Sequence, residues 1–520
     1  MNNNEYIVIK ELTKQIIQQY IMNQYPWGII TRPLTPIALA ILAIIYVIAI
    51  TMLTLSFIQI LVLVAYGLKS LRYIRSFRIQ ASVNYYEHNT GISRLDKLPL
   101  VSILIPIKGE SLLTIERNIR NIAKLMYPKE LLEVIYVSDD PEYYVSNITR
   151  AINDISRKLG ITVKVLHRND NTGYKGGALN YGLKYAKGDL IAIFDVDTII
   201  PDTYLLKAVN ALMNGYDAVT AVWKGYYTVD NVISRLVKFM YDVYNEVFIR
   251  GRFLSKGFPA ISGNNIVIWK RVLESINGFC RCTGEDLDLS IRLRAMGYRV
   301  GLIDSDVFCE VPYTYPSLKR QFSRWLFNGI WNMKYNLRLL LTSREITLWE
   351  KIDGVLWMLQ FPGISFAALS ILITIVLSLM GVIMPPIPIL FLEIINTMIA
   401  LPLFVLLLMI SKRVGYNVWS SITNMARSAL LMIVMSFPML IYSLESLLTD
   451  EWDWTPTPKG PFISKNLSLM DLIHEISLII ALIAVMITLL LNNQVLLAFY
   501  IVGITMIFAY GLRLVIPRTR

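Results

Sequence analysis

Asp195 and Asp197 stand one residue apart at the end of an apolar run, LIAIFDVD (190–197). Two carboxylates so placed can do metal chemistry. Mg²⁺ and Mn²⁺ take carboxylate oxygens and complete their shells with water or a substrate's phosphates. An ion held there would offset charge on a departing diphosphate. The chain repeats the Asp-x-Asp pattern at Asp286/Asp288 and Asp304/Asp306, so spacing alone decides little. Position separates the three, because only Asp195 and Asp197 close a continuous apolar run of strand character.

Three other stretches carry chemistry. TGEDLDLSIRLRAMGYRV (283–300) opens with acids and continues as an amphipathic helix. Thr283 with acids in the first turn is good capping chemistry. Asp286 is also the candidate general base for an attacking hydroxyl, and Glu285 beside it can adjust its pKa in either direction. QFSRW (321–325) reads either as an interfacial Arg–Trp anchor or as Arg324 clamping phosphate oxygens with Trp325 offering a face to a sugar. In GYKGGALN (173–180), Lys175 is a second candidate phosphate contact and Gly176–Gly177 permit close backbone approach.

These residues need a scaffold. LVSILIPI (100–107), LEVIYVS (132–138), TVKVLH (162–167) and LIAIFDV (190–196) read as strands, with helical stretches at 111–125 and 176–186 between them. Such alternation implies a parallel sheet in an α/β domain over 98–312, with ligands at the carboxyl ends of the strands. Pro106–Glu110, Asp139–Asp140 and Asp195–Asp197 all fall at such ends, converging on one crevice.

Apolar segments flank this domain. Hydrophobic residues make up 55% of the 520 and charged residues 17%, with a mean hydropathy of +0.50. A soluble chain carries about a quarter charged residues. Residues 1–33 form an N-terminal segment and candidate interfacial helix, with no cleavable signal read there. Residues 34–68 hold no charge and exceed the ~20 residues that span a bilayer, as one long helix or two short ones within a segment ending near 79. Lys69, Arg72, Arg75 and Arg78 follow, placing that end in the cytoplasm. After interface helices over 313–345, the region 346–520 is expected to cross near 355–380, 384–410, 472–491 and 494–515. Segment 421–447, with Arg427, Pro438 and Glu445, reads as a kinked interface helix, and the loop 450–462 then faces the cytoplasm. The C-terminus is cytoplasmic on the same rule, and the plasma membrane is the expected location.

The net charge of +12 is assigned to topology and phosphate binding, since no basic run or zinc-finger spacing supports nucleic acid. Cys280, Cys282 and Cys309 read as reduced thiols of a cytosolic domain.

Taken in order, PIKGE (106–110), VSDD (137–140), GYKGGALN, FDVD, GED (284–286) and QFSRW make the chain resemble membrane-integrated family 2 glycosyltransferases. That group includes cellulose, hyaluronan, chitin and poly-N-acetylglucosamine synthases. The resemblance covers 98–345 in motif detail and the flanking spans in layout. It implies a GT-A (Rossmann-like) catalytic domain inserted between transmembrane helices and an inverting transfer from a nucleotide-sugar donor, expected to be a UDP-sugar. Glu110 and Asp139 or Asp140 would hold base and ribose, with Lys175 nearby. Asp195 and Asp197 would hold nucleotide and Mg²⁺ or Mn²⁺, and Asp286 would be the base with Glu285 beside it. Gln321, Arg324 and Trp325 would build the diphosphate and acceptor site. WTPTPKG (454–460) resembles the gating loop of cellulose synthase, so Trp454, Thr457 and Lys459 would reach over the nucleotide. The acceptor is expected to be a growing polysaccharide, threaded through the spans, or alternatively a membrane lipid. Gly284 stands where cellulose synthases usually carry Thr, and regulation through a cyclic-dinucleotide-binding domain after the last span is not expected.

Overall fold

The structure, a computed structural model, describes residues 29–30, 35–83, 98–384, 386–451 and 467–516. Trp454, Thr457 and Lys459 lie outside the described residues.

A seven-stranded sheet organises the middle of the chain. Its strands are β2 (Val101–Ile107), β3 (Leu132–Ser138), β4 (Thr162–His167), β5 (Leu190–Phe194), β6 (Ala218–Tyr226), β7 (Asn265–Trp269) and β8 (Val300–Glu310), in spatial order β4-β3-β2-β5-β7-β6-β8. β1 is the two-residue strand Ile29–Ile30. The four strands read from the sequence are present and pair in parallel. The sheet as a whole is mixed, because β7 runs antiparallel to both β5 and β6. Short apolar runs give no sign of strand direction, so this reversal is not visible in the sequence.

Side-chain alternation distributes the core to two faces. Val101, Ile103 and Ile105 of β2 point to one side with Ile115 and Ile119 of α2 (Leu112–Ile122), Ile148 and Ile152 of α3 (Glu142–Leu159) and Leu205 of α5 (Tyr204–Met213). Leu104 points to the other, with Ala178 and Leu179 of α4 (Tyr174–Leu183) and Leu289 and Leu293 of α7 (Glu285–Ala295). α6 (Val232–Asn245) continues into a π-helical turn, Glu246–Gly251. The result is a GT-A-like domain.

The α/β domain docks on long apolar helices. α1 runs unbroken from Pro36 to Val83, one helix rather than two. α8 (Tyr315–Thr342) and α9 (Leu348–Met358) lead to α10 (Ser365–Leu379), α11 (Ile387–Val414), α12 (Val418–Leu448), α13 (Ile473–Leu491) and α14 (Val495–Val515). The crossing expected from 355 starts instead at Pro362, because a turn containing that proline separates α9 from α10. Among the described residues, six helices are long and apolar enough to cross a membrane: α1, α12 and the four near the expected positions. This is a membrane protein.

Contacts give the helices a polarity. At one end of α1, Leu42 and Tyr46 pack with Ile389 of α11, and β1 pairs with β9 (Val382–Met384) just before α11. At the other end Tyr66 packs with Ile410, and Arg413 donates to the Leu71 carbonyl. α12 touches the α/β domain's side at both ends. Tyr416 just ahead of it donates to Asp242 of α6 at 2.7 Å. Asp450 just beyond it pairs with Lys334 of α8 at 3.0 Å.

Candidate active site

The carboxyl ends of β2, β3 and β5 open into a cavity of about 310 Å³, as the strand pattern requires. Glu110, Asp139, Lys175, Asp195, Asp197, Glu285, Asp286, Gln321, Arg324 and Trp325 all line it. Ten residues spread over more than two hundred positions of sequence thus share one space.

Asp195 and Asp197 leave β5 at its tip. Asp197 is buried. One of its carboxylate oxygens accepts from the Glu310 amide at 3.1 Å, and its carbonyl accepts from the Tyr226 hydroxyl. Asp195 is more open and pairs with Lys175 Nζ at 2.7 Å. That lysine also reaches Glu285 at 3.4 Å and the Gly263 carbonyl at 2.8 Å. Burial alone would lower its pKa, but Asp195 and Glu285 outweigh it and hold the ammonium above its ordinary value. Lys175 is positioned by α4, whose Gly176 meets a neighbouring loop. A β-carbon there would fall 2.1 Å from the Cys280 carbonyl oxygen.

Asp286 stands in the first turn of the helix α7. Gly263 N–H donates to its Oδ2 at 3.0 Å and Leu287 N–H to its Oδ1 at 2.8 Å. Gly263 therefore serves both Lys175, through its carbonyl, and Asp286, through its amide. Glu285 is buried, and burial raises its pKa to about 7, with the Asp286 charge adding and Lys175 opposing. Thr283 does not cap the helix. Gly284 occupies that position with no side-chain cap, and the Thr283 hydroxyl donates to Asn328 Oδ1 at 2.7 Å.

The opposite wall is α8. Gln321 Oε1 accepts from the Tyr241 hydroxyl at 2.7 Å, and Arg324 faces the cavity one turn on. Trp325 is half-buried in an aromatic cluster, with Phe361 at 4.9 Å and Trp223 and Tyr241 each at 6.2 Å between ring centres. The wall continues through Phe248 and Ile249 of the π-helical turn to Trp357 and Met358. Arg252, buried there, lies 2.9 Å from Asp353 and 3.9 Å over the Phe248 ring.

The two acids of VSDD divide their work. Asp139 lines the cavity and takes a two-pronged ion pair from Arg168, at 2.7 and 2.5 Å. Asp140 is buried and braces the loops instead, accepting from Gly109 N–H and the Ser138 hydroxyl. Of the other Asp-x-Asp members, Asp288 pairs with Arg292, and Asp304 and Asp306 join Arg250, Lys224 and Glu246 in an ion network away from the cavity.

Cys280 and Cys282 correct the expectation of reduced thiols. The turn between them brings their Cα atoms to 5.3 Å, inside disulfide range, and they are bonded. Cys309 is a buried free thiol.

Asp195 and Asp197 suit a hard divalent cation as a partial ligand set. Among the described residues no group of three or more His, Cys, Asp or Glu could hold a metal. The remaining ligands would therefore be phosphate and water oxygens. The Lys175 ammonium against Asp195 already marks a place where positive charge is accommodated.

The chain is similar in sequence to known glycosyl transferases. Residues 102–276 match the model of glycosyl transferase family 2, and residues 190–512 that of glycosyl transferase family group 2. A probable glycosyltransferase of Sulfolobus acidocaldarius is 28% identical over 73% of this chain and 81% of its own. A probable glucomannan 4-beta-mannosyltransferase of Oryza sativa is 27% identical over 49% of this chain, which spans 44% of that protein. Among solved structures, the mannosyltransferase PcManGT from Pyrobaculum calidifontis, in complex with GDP-Man and Mn²⁺, matches 71% of this chain and 99% of its own at 18% identity and a TM-score of 0.41. Because the second family model covers well over half of the chain, the protein belongs to glycosyl transferase family group 2.

Proposed function

We propose that the protein is an inverting transferase that moves a sugar from a nucleoside-diphosphate sugar to the hydroxyl end of a growing β-linked polysaccharide and passes the polymer across the membrane. The observation that carries this reading is the convergence of Asp195, Lys175 and Asp286, linked through Gly263, opposite Arg324 and Trp325.

In this mechanism the acceptor hydroxyl gives its proton to the Asp286 carboxylate, whose orientation two backbone amides fix. The hydroxyl oxygen bonds to the anomeric carbon as the bond to the diphosphate breaks on the opposite face. Asp139 and Glu110 face the nucleoside, and Arg324 and Lys175 bind the diphosphate oxygens. Asp195 and Asp197 would hold Mg²⁺ or Mn²⁺, which would offset the charge gathering on the leaving group. Trp325 and its aromatic neighbours would stack on the acceptor sugars. The catalytic domain faces the cytoplasm, where nucleotide sugars are made.

A second reading has one sugar added to a membrane lipid. It is favoured by the apolar end of the cavity, where Ile249, Phe253, Met358 and Phe361 adjoin the membrane helices. Incubating the purified protein with UDP-glucose, UDP-N-acetylglucosamine and GDP-mannose separates the readings. High-mass product supports the polymerase, a single glycolipid supports the second reading, and no nucleotide release from any donor refutes both.

A further inference from the structure

Three asparagines of α8 fall on one stripe with the site residues, in the order Gln321, Trp325, Asn328, Asn332, Asn336. The first part of the stripe faces the cavity; the second grips the start of α7. Thr283 donates to Asn328 Oδ1 at 2.7 Å. Asn332 donates to the Asn328 carbonyl at 2.9 Å and accepts from Asn336 at 2.7 Å. Asn336 also donates to Asp288 Oδ1 at 3.1 Å. Asn332 is fully buried, and Asn328 and Asn336 nearly so.

Gly284 makes this approach possible. A β-carbon on it would lie 2.9 Å from Asn328 Cβ and 3.0 Å from Asn332 Nδ2. The base helix and the acceptor-facing helix are therefore held together by buried amide bonds on both sides of a residue without a side chain.

We propose that Asn332 and Asn336 are positioning residues that set the distance between Asp286 on α7 and the Arg324–Trp325 pair on α8. This inference rests on the transfer reading above. Neither asparagine lines the cavity. They act by keeping the acceptor hydroxyl, rather than water, next to the base. Misplacement by about 1 Å is enough to cost ~100-fold in such geometry. When the helices separate, water takes the hydroxyl's place, its proton goes to Asp286 and its oxygen to the anomeric carbon. The products are then free sugar and nucleoside diphosphate.

The test measures donor hydrolysis and sugar transfer side by side in the full-length protein. Asn336→Asp sets a carboxylate against Asp288. It is expected to lower kcat for transfer at least tenfold and raise the hydrolysis-to-transfer ratio at least fivefold, with donor KM within twofold of wild type. Adding Asp288→Asn, which restores the bond between positions 336 and 288 with the roles exchanged but not the one to Asn332, is expected to recover transfer in part, at least threefold. Gly284→Ala, which adds one methyl group between the helices, should raise the same ratio and decides the matter if Asn336→Asp no longer binds nucleotide. An unchanged ratio in Gly284→Ala, or no recovery in the exchanged pair, overturns the proposal. If wild-type protein releases no nucleotide from any donor, it is the transfer reading that fails.

Discussion

Glu285 shows how far a single side chain's surroundings can be turned into measurement. Burial pushes its carboxyl up from the ordinary 4.5 to about 7. Between those values the folded protein keeps a proton that the unfolded chain has lost, so stability falls as pH rises from about 4.5 to 7. Glu285→Gln should flatten that decline, about 3 kcal/mol in all. Melting curves at several pH values check it, and an unchanged slope refutes the assignment. Asp286→Asn should keep nucleotide binding and lose transfer by about 100-fold or more. Turnover close to wild type would remove Asp286 from the role of base. Lys175→Met should tighten Mn²⁺ binding, read by electron paramagnetic resonance without nucleotide, because the ammonium no longer competes for Asp195. At this scale the sequence was informative where a motif ends a strand or starts a helix, as at Asp195, Asp197 and Asp286. Arg168, Gly263 and Tyr241 were missed because each reaches the site from a segment whose own sequence has no reason to single it out. Asp140 looked equivalent to Asp139, and only the fold distinguishes the acid facing the cavity from the one bracing Gly109.

At the scale of elements, ion pairs do much of the joining. Asp353 of α9 and Arg252 beyond the π-helical turn are both almost fully buried and lie 2.9 Å apart. Asp353→Ala would strand the guanidinium and also leave the Phe258 amide without its acceptor. A destabilisation of about 3–5 kcal/mol is expected, measurable as a lower melting temperature. A change below ~1 kcal/mol would mean that the pair contributes little to docking α9. Asp304 and Asp306 teach a related lesson. Their spacing equals that of Asp195 and Asp197, yet they sit within β8 and meet Lys224 of the paired strand β6 and Arg250, which the packing of the π-helical turn brings near. The four strands and most helices were legible because hydrophobic period reports burial. The direction of β7 was not, since it depends on which neighbour the strand joins.

At the scale of the whole molecule, α12 sets how the α/β domain meets the bilayer. Its 31 residues extend ~46 Å, long enough to cross. Both of its ends nevertheless hold groups on the α/β domain's side, Asp242 through Tyr416 and Lys334 through Asp450. We therefore propose that α12, with its Arg427, Pro438 and Glu445, lies at the interface. Single cysteines at Asn417 and Asp450 should then react with an impermeant thiol reagent from the same side of the membrane, and one at Gly381 from the other. Labelling of positions 417 and 450 from opposite sides would make α12 a true crossing.

The seam between α8 and the membrane helices also limits what can be made in the laboratory. Leu318, Phe322, Leu326 and Ile330 of α8 are buried with Leu431, Val434, Met435 and Met439 of α12. Beside them Lys319 pairs with the wholly buried Glu475 at the start of α13, where the Tyr315 hydroxyl also donates. A soluble fragment ending near residue 345 would keep every acid of the site but turn this greasy, half-charged surface to water. Such a piece should aggregate, so the chemistry of this enzyme has to be studied in detergent or lipid with its membrane half attached.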